Sequence, residues 1–214
     1  MGAKTWMLAY AKETPAAILR RKPVLDRAAT TGVVTRLFSN ERLTETDDGS
    51  LDMTCPDDQT IIAGCFPGLT ILAASELGLD YPSQLDKRLV DAVPGTNTYL
   101  HCMHSVVDWF AYAIWEHGTL VRSLSLSPDH GIIEDLGPRQ AFETSFWNGE
   151  HPALDPEEDP SDYPFVFHPL ELGEAALGAL FGFHLEGVIG PDDLEPSDIA
   201  LMSFKRGKKA WWRW

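Results

Sequence analysis

Histidines, carboxylates and one hydroxyl crowd the middle of this sequence. His104 stands one residue before Ser105 and four before Asp108, so a nucleophile, a base and an orienting acid lie within five residues. Acyl transfer needs those three roles, but a serine nucleophile is normally lifted on a glycine-flanked strand-to-helix turn, and no glycine adjoins Ser105. His101 and His104 bracket Cys102. On a strand the two rings point to opposite faces, so a shared metal would need a bent backbone. Glu150-His151 and His168, with Asp108 or Glu143, have the ligand types zinc accepts. Their spacing matches no HExxH-type pattern, and no metal site or cofactor is expected. The acid–base candidates are therefore His104, Asp108, His151 and His168. No Walker loop is present, no GxGxxG follows a strand, and residues 64–68 are too short and Pro-broken to cradle a phosphate.

Arg122 is the sharper candidate, because of the element that must position it. Residues 105–127 read as two antiparallel strands joined at His117-Gly118. Glycine supplies the positive φ that a two-residue turn requires. With Glu116 opposite Thr119, an unbroken register pairs Trp115 with Leu120, Ala113 with Arg122, Ala111 with Leu124 and Trp109 with Leu126. One face then carries Trp109, Ala111, Ala113, Trp115, Leu120, Leu124 and Leu126, with Arg122 among them. A buried guanidinium must find a carboxylate or several carbonyls. Glu143 and Glu150, in the acidic segment that follows, are the expected partners. Two readings follow: an internal ion pair pinning residues 137–168 to the sheet, or an anion-binding Arg122 in a pocket floored by Trp109 and Trp115. A strand-end arginine that reaches water is a third.

Composition narrows the function classes. The chain has 214 residues and a formal charge of −15. Residues 140–204 hold 14 acids and no Lys or Arg, whereas residues 205–214 hold five bases and no acid. A nucleic-acid binder needs a basic footprint, and only that tail offers one, so nucleic acid is not an expected partner. No apolar run reaches the ~18 residues that span a bilayer, and the first ten residues are too short in apolar content for a secretory signal. Cys55, Cys65 and Cys102 are sparse and lack CxxC spacing, which fits reduced thiols in the cytoplasm.

The rest of the chain supplies elements around the hairpin. Residues 4–10 read as a buried strand, and Thr14-Pro15 opens a helix that must end before Pro23. Residues 25–38 form a second helix with Leu25, Ala28, Ala29, Val33, Arg36 and Leu37 along one side. Residues 42–46 and 51–54 read as a hairpin around Asp48-Gly49. Residues 60–64, 69–74 and 96–104 read as strands, residues 82–93 as a short helix, and Ile132-Ile133 as a strand remnant. Residues 169–183 form the best helix, with Pro169 in its first turn, His168 at the N-cap and Glu171 near the positive end. Residues 199–204 close the fold as a strand. The reading is a single α+β domain over 1–204, a mainly antiparallel sheet centred on the 105–127 hairpin and backed by helices, followed by a basic, Trp-rich tail at 205–214. That tail either docks on the acidic segment or serves as an interaction arm.

Several stretches together resemble an uncharacterised bacterial family known only as a domain of unknown function. They are KTWMLAY at 4–10, GCFPG at 64–68, residues 104–137, Trp147 with Gly149-Glu150-His151-Pro152, and residues 167–187. The resemblance is specific in the middle, weak at 41–58 and 188–214, and brings no activity, ligand or site residue with it. The basic tail departs from the family's pattern. The expected function is a soluble non-enzymatic binding or regulatory module with a ligand or partner surface near the hairpin. The alternative is a small metal-dependent or acid–base hydrolase. Partners compatible with the sequence are an unknown protein, a small anionic ligand or further copies of the chain.

Overall fold

A computed structural model describes residues 2–154, 163–187 and 190–208. Among them are ten strands in one antiparallel arrangement and five α-helices. The strands are β1 (Lys4–Ala11), β2 (Glu41–Glu45), β3 (Gly49–Ser50), β4 (Thr60–Phe66), β5 (Leu69–Ala73), β6 (Asn97–His104), β7 (Trp109–Glu116), β8 (Thr119–Ser127), β9 (Gly131–Leu136) and β10 (Ala200–Lys208). Their order across the sheet is β2-β10-β4-β5-β1-β6-β7-β8-β9, with β3 alongside β10. The α+β class thus holds, but the sheet is not centred on the hairpin. β1 occupies the middle, and β7–β8 lies toward one edge, covered only by β9. The Ile132-Ile133 remnant is part of this full edge strand.

β1 sits centrally because both its faces are apolar. Met7, Ala9 and Ala11 bury on one side, and Leu8 and Tyr10 on the other. A strand with no polar face requires layers above and below it. On the Met7 side lie α1 (Pro15–Leu19), the short helix α4 (Thr144–Trp147) and α5 (Pro169–Phe181), with Phe146, Leu172, Ala176, Leu177 and Phe181 in the core. On the Leu8 side lie α2 (Arg27–Leu37) and α3 (Lys87–Val90), with Val34, Leu37, Leu77, Leu89 and Val90 buried.

The helix ends follow their local chemistry. Asp26 caps α2 by accepting from the Ala29 amide at 2.9 Å. Its buried stripe is Thr30, Val34 and Leu37, one position away from the stripe expected from the sequence. Thr30 explains the rotation: its hydroxyl donates to the Asp26 carbonyl and accepts from the Cys65 amide, which fastens α2 to β4. Pro169 opens α5, His168 caps it, and Gly182 ends it in the left-handed region at φ 82°. Gly173 lets α5 lie close on β6 and β7, since a Cβ there would come within 2.7 Å of the Met103 sulfur.

Two expectations fail at the β10 end. Residues 42–46 and 51–54 do not form a hairpin; β2 and β3 each pair with β10, and Leu51–Met53 is a 3-10 turn. The domain does not stop at 204 either. β10 runs to Lys208, and Arg206 clamps Glu41 through two 2.6 Å bonds, reaches Glu76 and lies over the Phe38 ring. The first bases of the tail are therefore structural, while Trp211, Trp212 and Trp214 lie outside the described residues.

Candidate functional site

The hairpin turn forms as expected, with His117 at φ 49° and Gly118 at φ 80°, both positive as a type I′ turn demands. Glu116 pairs with Thr119 and Trp115 with Leu120, and then the register breaks. Val121 bulges, so Ile114 faces Arg122, Ala113 faces Ser123, Tyr112 faces Leu124 and Ala111 faces Ser125. A one-residue slip carries every later side chain to the opposite face. Arg122 leaves the tryptophans and joins Phe110, Tyr112, Ile114, Leu124 and Leu126 on the α5 side. The proposed anion pocket of Arg122, Trp109 and Trp115 does not exist.

The bulge solves a charge problem. Arg122 is 0% exposed, and on the other face the buried Glu134 is taken up by the Ser123 hydroxyl at 2.6 Å and the Ser83 amide at 3.0 Å. In its new position Nη2 bonds Glu143 at 2.6 Å and Nε bonds the other Glu143 oxygen at 2.9 Å. Nη1 bonds Asp135 and the carbonyls of Leu136 and Gly137 at 3.1 and 3.2 Å. Glu143, equally buried, also accepts from the Tyr112 hydroxyl, the Gln140 amide at 2.7 Å and the Trp147 indole at 3.1 Å. Burial pushes the Glu143 carboxyl up, but its bonds from Arg122, Tyr112 and Gln140 outweigh that and hold it below the usual range. Burial and the Glu143 charge raise the Tyr112 hydroxyl, which stays protonated and donates. Every strong valence in this cluster is filled, so it is a clamp fastening residues 140–147 to the sheet. Glu150 takes no part; it is exposed and accepts from Asn148 at 3.4 Å.

The opposite face of the sheet is open around Trp109 at the start of β7, five residues from the Ile114 that faces Arg122. β1, β6 and β7 bring Trp6, His104 and Trp109 together: the Trp6 and His104 rings stack at 5.7 Å and 29°, and Trp6 meets Trp109 at 5.8 Å. Trp109 is fixed by its indole N–H, which donates to the Ser125 hydroxyl at 3.2 Å. The bulge places Ser125 there, so the event that hides Arg122 also orients Trp109. Gly78 lies over the Trp6 ring, where a Cβ would stand 3.2 Å from the indole edge. Tyr81, Val107 and Ile132 expose about half their surface around this shelf. Together with Asp80, Ser127, Asp129, His130 and Ile133 they line a groove of about 580 Å³, within the range of small-molecule sites. Burial, then the charge of Lys4, lowers the His104 pKa, so its ring is neutral at pH 7. Its Nδ1 is buried without a hydrogen-bond partner.

The four acid–base candidates do not assemble. Asp108 and His168 approach to 3.7 Å, with His168 also capping α5 and stacked on Tyr163. His151 packs on Phe146 at 4.1 Å and lies 3.0 Å from the Ser145 hydroxyl. His104 belongs to the groove on the other side of the sheet, so Asp108 does not orient it. His101, three residues earlier on β6, faces α5 as strand parity requires: its Nε2 donates to the Gly173 carbonyl at 2.9 Å and its Nδ1 accepts from the Thr5 hydroxyl at 2.6 Å. Among the described residues no group of three or more His, Cys, Asp or Glu side chains is arranged to hold a metal ion.

Sequence reasoning named His104 and Trp109 but missed Trp6, Tyr81, Asp80, Asp129 and His130. Trp6 reaches the site only through the β1–β6 pairing, in which it faces Cys102 across nearly half the chain. No helix among the described residues is long and apolar enough to cross a membrane. No curated protein and no solved structure gives a significant match. A family model described as a family of unknown function, DUF6928, matches residues 5–204, nearly the whole described fold from β1 into β10. The groove, the clamp and the sheet that separates them all fall within that match, and the chain belongs to this family.

Proposed function

We propose that this chain is a non-enzymatic binding module whose ligand surface is the groove over Trp6, His104 and Trp109. The observation that carries this reading is the Trp6 ring, stacked on His104 and tilted at 49° against the largely buried Trp109, at the base of an open groove of about 580 Å³. Soluble domains usually cover such rings, and an exposed aromatic concavity is a contact surface in waiting. The clamped Arg122 cannot serve, because its charge is already neutralised by Glu143 and Asp135. Titrating small ring compounds into the protein while following the indole N–H signals of Trp6 and Trp109 tests the proposal. Shifts confined to these two indoles and lost in Trp6→Ala support it; ligand responses that leave both unmoved refute it.

A second reading has one observation in its favour. Asp108 and a partly exposed His168 lie 3.7 Å apart, close enough for a water-assisted acid–base pair in a small hydrolase. Turnover of activated esters that disappears in His168→Ala but persists in Trp6→Ala would select it over the binding module.

A further inference from the structure

The groove carries a charge signature as well as a shape. Its lining holds two carboxylates, Asp80 and Asp129, and neither Lys nor Arg. Both acids are exposed, free to turn toward a bound charge. The His104 ring stacked on Trp6 is neutral at pH 7, so it adds surface without adding positive charge. The whole chain, at −15, draws cations and repels anions before contact. An anion would meet two acids, against which the lining sets His104 and His130 but no Lys or Arg, Lys4 lying outside the lining near His104. Aromatic faces carry negative electron density and attract a cation set against them, most strongly Trp, and more so as water is excluded. Trp6 and the half-exposed Tyr81, with the small part of Trp109 left open, thus give the groove aromatic surface suited to a cation.

We propose that the ligand of this groove is a small organic cation, a protonated or quaternary amine, held against Trp6, Trp109 and Tyr81 with Asp80 and Asp129 supplying the counter-charge. This deepens the binding-module reading and rests on it. It replaces the anionic ligand expected from Arg122, whose charge faces the other side of the sheet.

Three probes of similar size decide the matter on the unaltered chain: benzyltrimethylammonium chloride, benzyl alcohol and sodium benzoate, titrated at low ionic strength with the Trp6 and Trp109 indole signals as readout. The expected order is cation first, with the neutral and anionic rings at least about tenfold weaker, the size of a partly desolvated cation–π contact. Asp80→Asn with Asp129→Asn should weaken the cation several-fold and flatten its salt dependence, while leaving benzyl alcohol unchanged. Benzyl alcohol or benzoate binding as tightly as the cation would overturn the inference and leave the binding module standing. No indole response to any of the three would bring down both.

Discussion

The two faces of the β6–β7–β8 ribbon treat polar groups in opposite ways. On the α5 face a full guanidinium and a full carboxylate are buried at 0% exposure, and every donor and acceptor of weight is matched. On the far face the neutral His104 imidazole and Trp6 border a groove over the largely buried Trp109, and the buried His104 Nδ1 has no hydrogen-bond partner. The Arg122–Glu143 charges are therefore spent inside the fold, whereas the charges of the groove, Asp80 and Asp129, lie exposed at its lining. The saturated cluster holds the fold, while the other face leaves a groove open to solvent. The same contrast appears within one strand, where His101 is bonded at both ring nitrogens and His104, three residues on, leaves one unfilled.

The contrast is broken most severely by removing one half of the clamp. Arg122→Met should cost about 3–5 kcal/mol, because the Glu143 carboxylate is left buried without its partner. In a chain of this size that is a fall in Tm of roughly 10 °C. Arg122→Met combined with Glu143→Met should recover much of the loss, since an apolar pair of similar volume removes the stranded charge. A single variant as stable as the parent would mean that the pair is not buried as described.

Acid sharpens the histidine contrast. Burial lowers the His101 pKa to about 4, below its ordinary value of 6.5. The folded form therefore refuses a proton that the unfolded chain accepts in this window. Stability from this residue is intact above pH 6.5 and is lost as pH falls from there through about 4, a total of about 3 kcal/mol. Urea unfolding at pH 7 and pH 4.5 measures it, and the pH slope should flatten in His101→Gln. An unchanged slope in that variant would assign the acid sensitivity to carboxylates such as Glu143, whose depressed pKa makes the fold lose stability in the same direction at lower pH.

The smallest effect should come from the groove. His104→Ala forfeits no hydrogen bond at Nδ1, so the expected stability change is within about 1 kcal/mol. The same variant should visibly alter the Trp6 indole environment, because the stacked ring at 5.7 Å is gone. A loss as large as that of Arg122→Met would show His104 to be a structural residue and would erase the distinction between the two faces.

Local patterns in the sequence were enough for much of the fold. Residues 4–10 could only be a buried strand, Gly118 could only mark a tight reversal, and Pro169 with Gly182 bounds the last helix in the way backbone geometry dictates. The need of a buried guanidinium for a carboxylate was also legible, and Glu143 was the correct partner. The stripe of α2 was not: the apolar pattern pointed to Ala29, Val33 and Leu37, and the helix, held by the Thr30 bond to the Cys65 amide across 35 residues, buries Thr30, Val34 and Leu37 instead.

What only the tertiary structure decided is the face on which Arg122 lies and the company that His104 keeps. Strand alternation assigns faces only while the register is unbroken, and no residue type announces the bulge at Val121. In the bulged strand Arg122 meets Glu143, 21 residues away, while Ser123 takes the far face and bonds Glu134 there. Trp6 came to His104 by pairing between strands almost a hundred residues apart. Periodicity along a chain states which side chains share a strand's face. The partner strands and counter-charges that fill the space above that face are long-range contacts, which no local pattern contains.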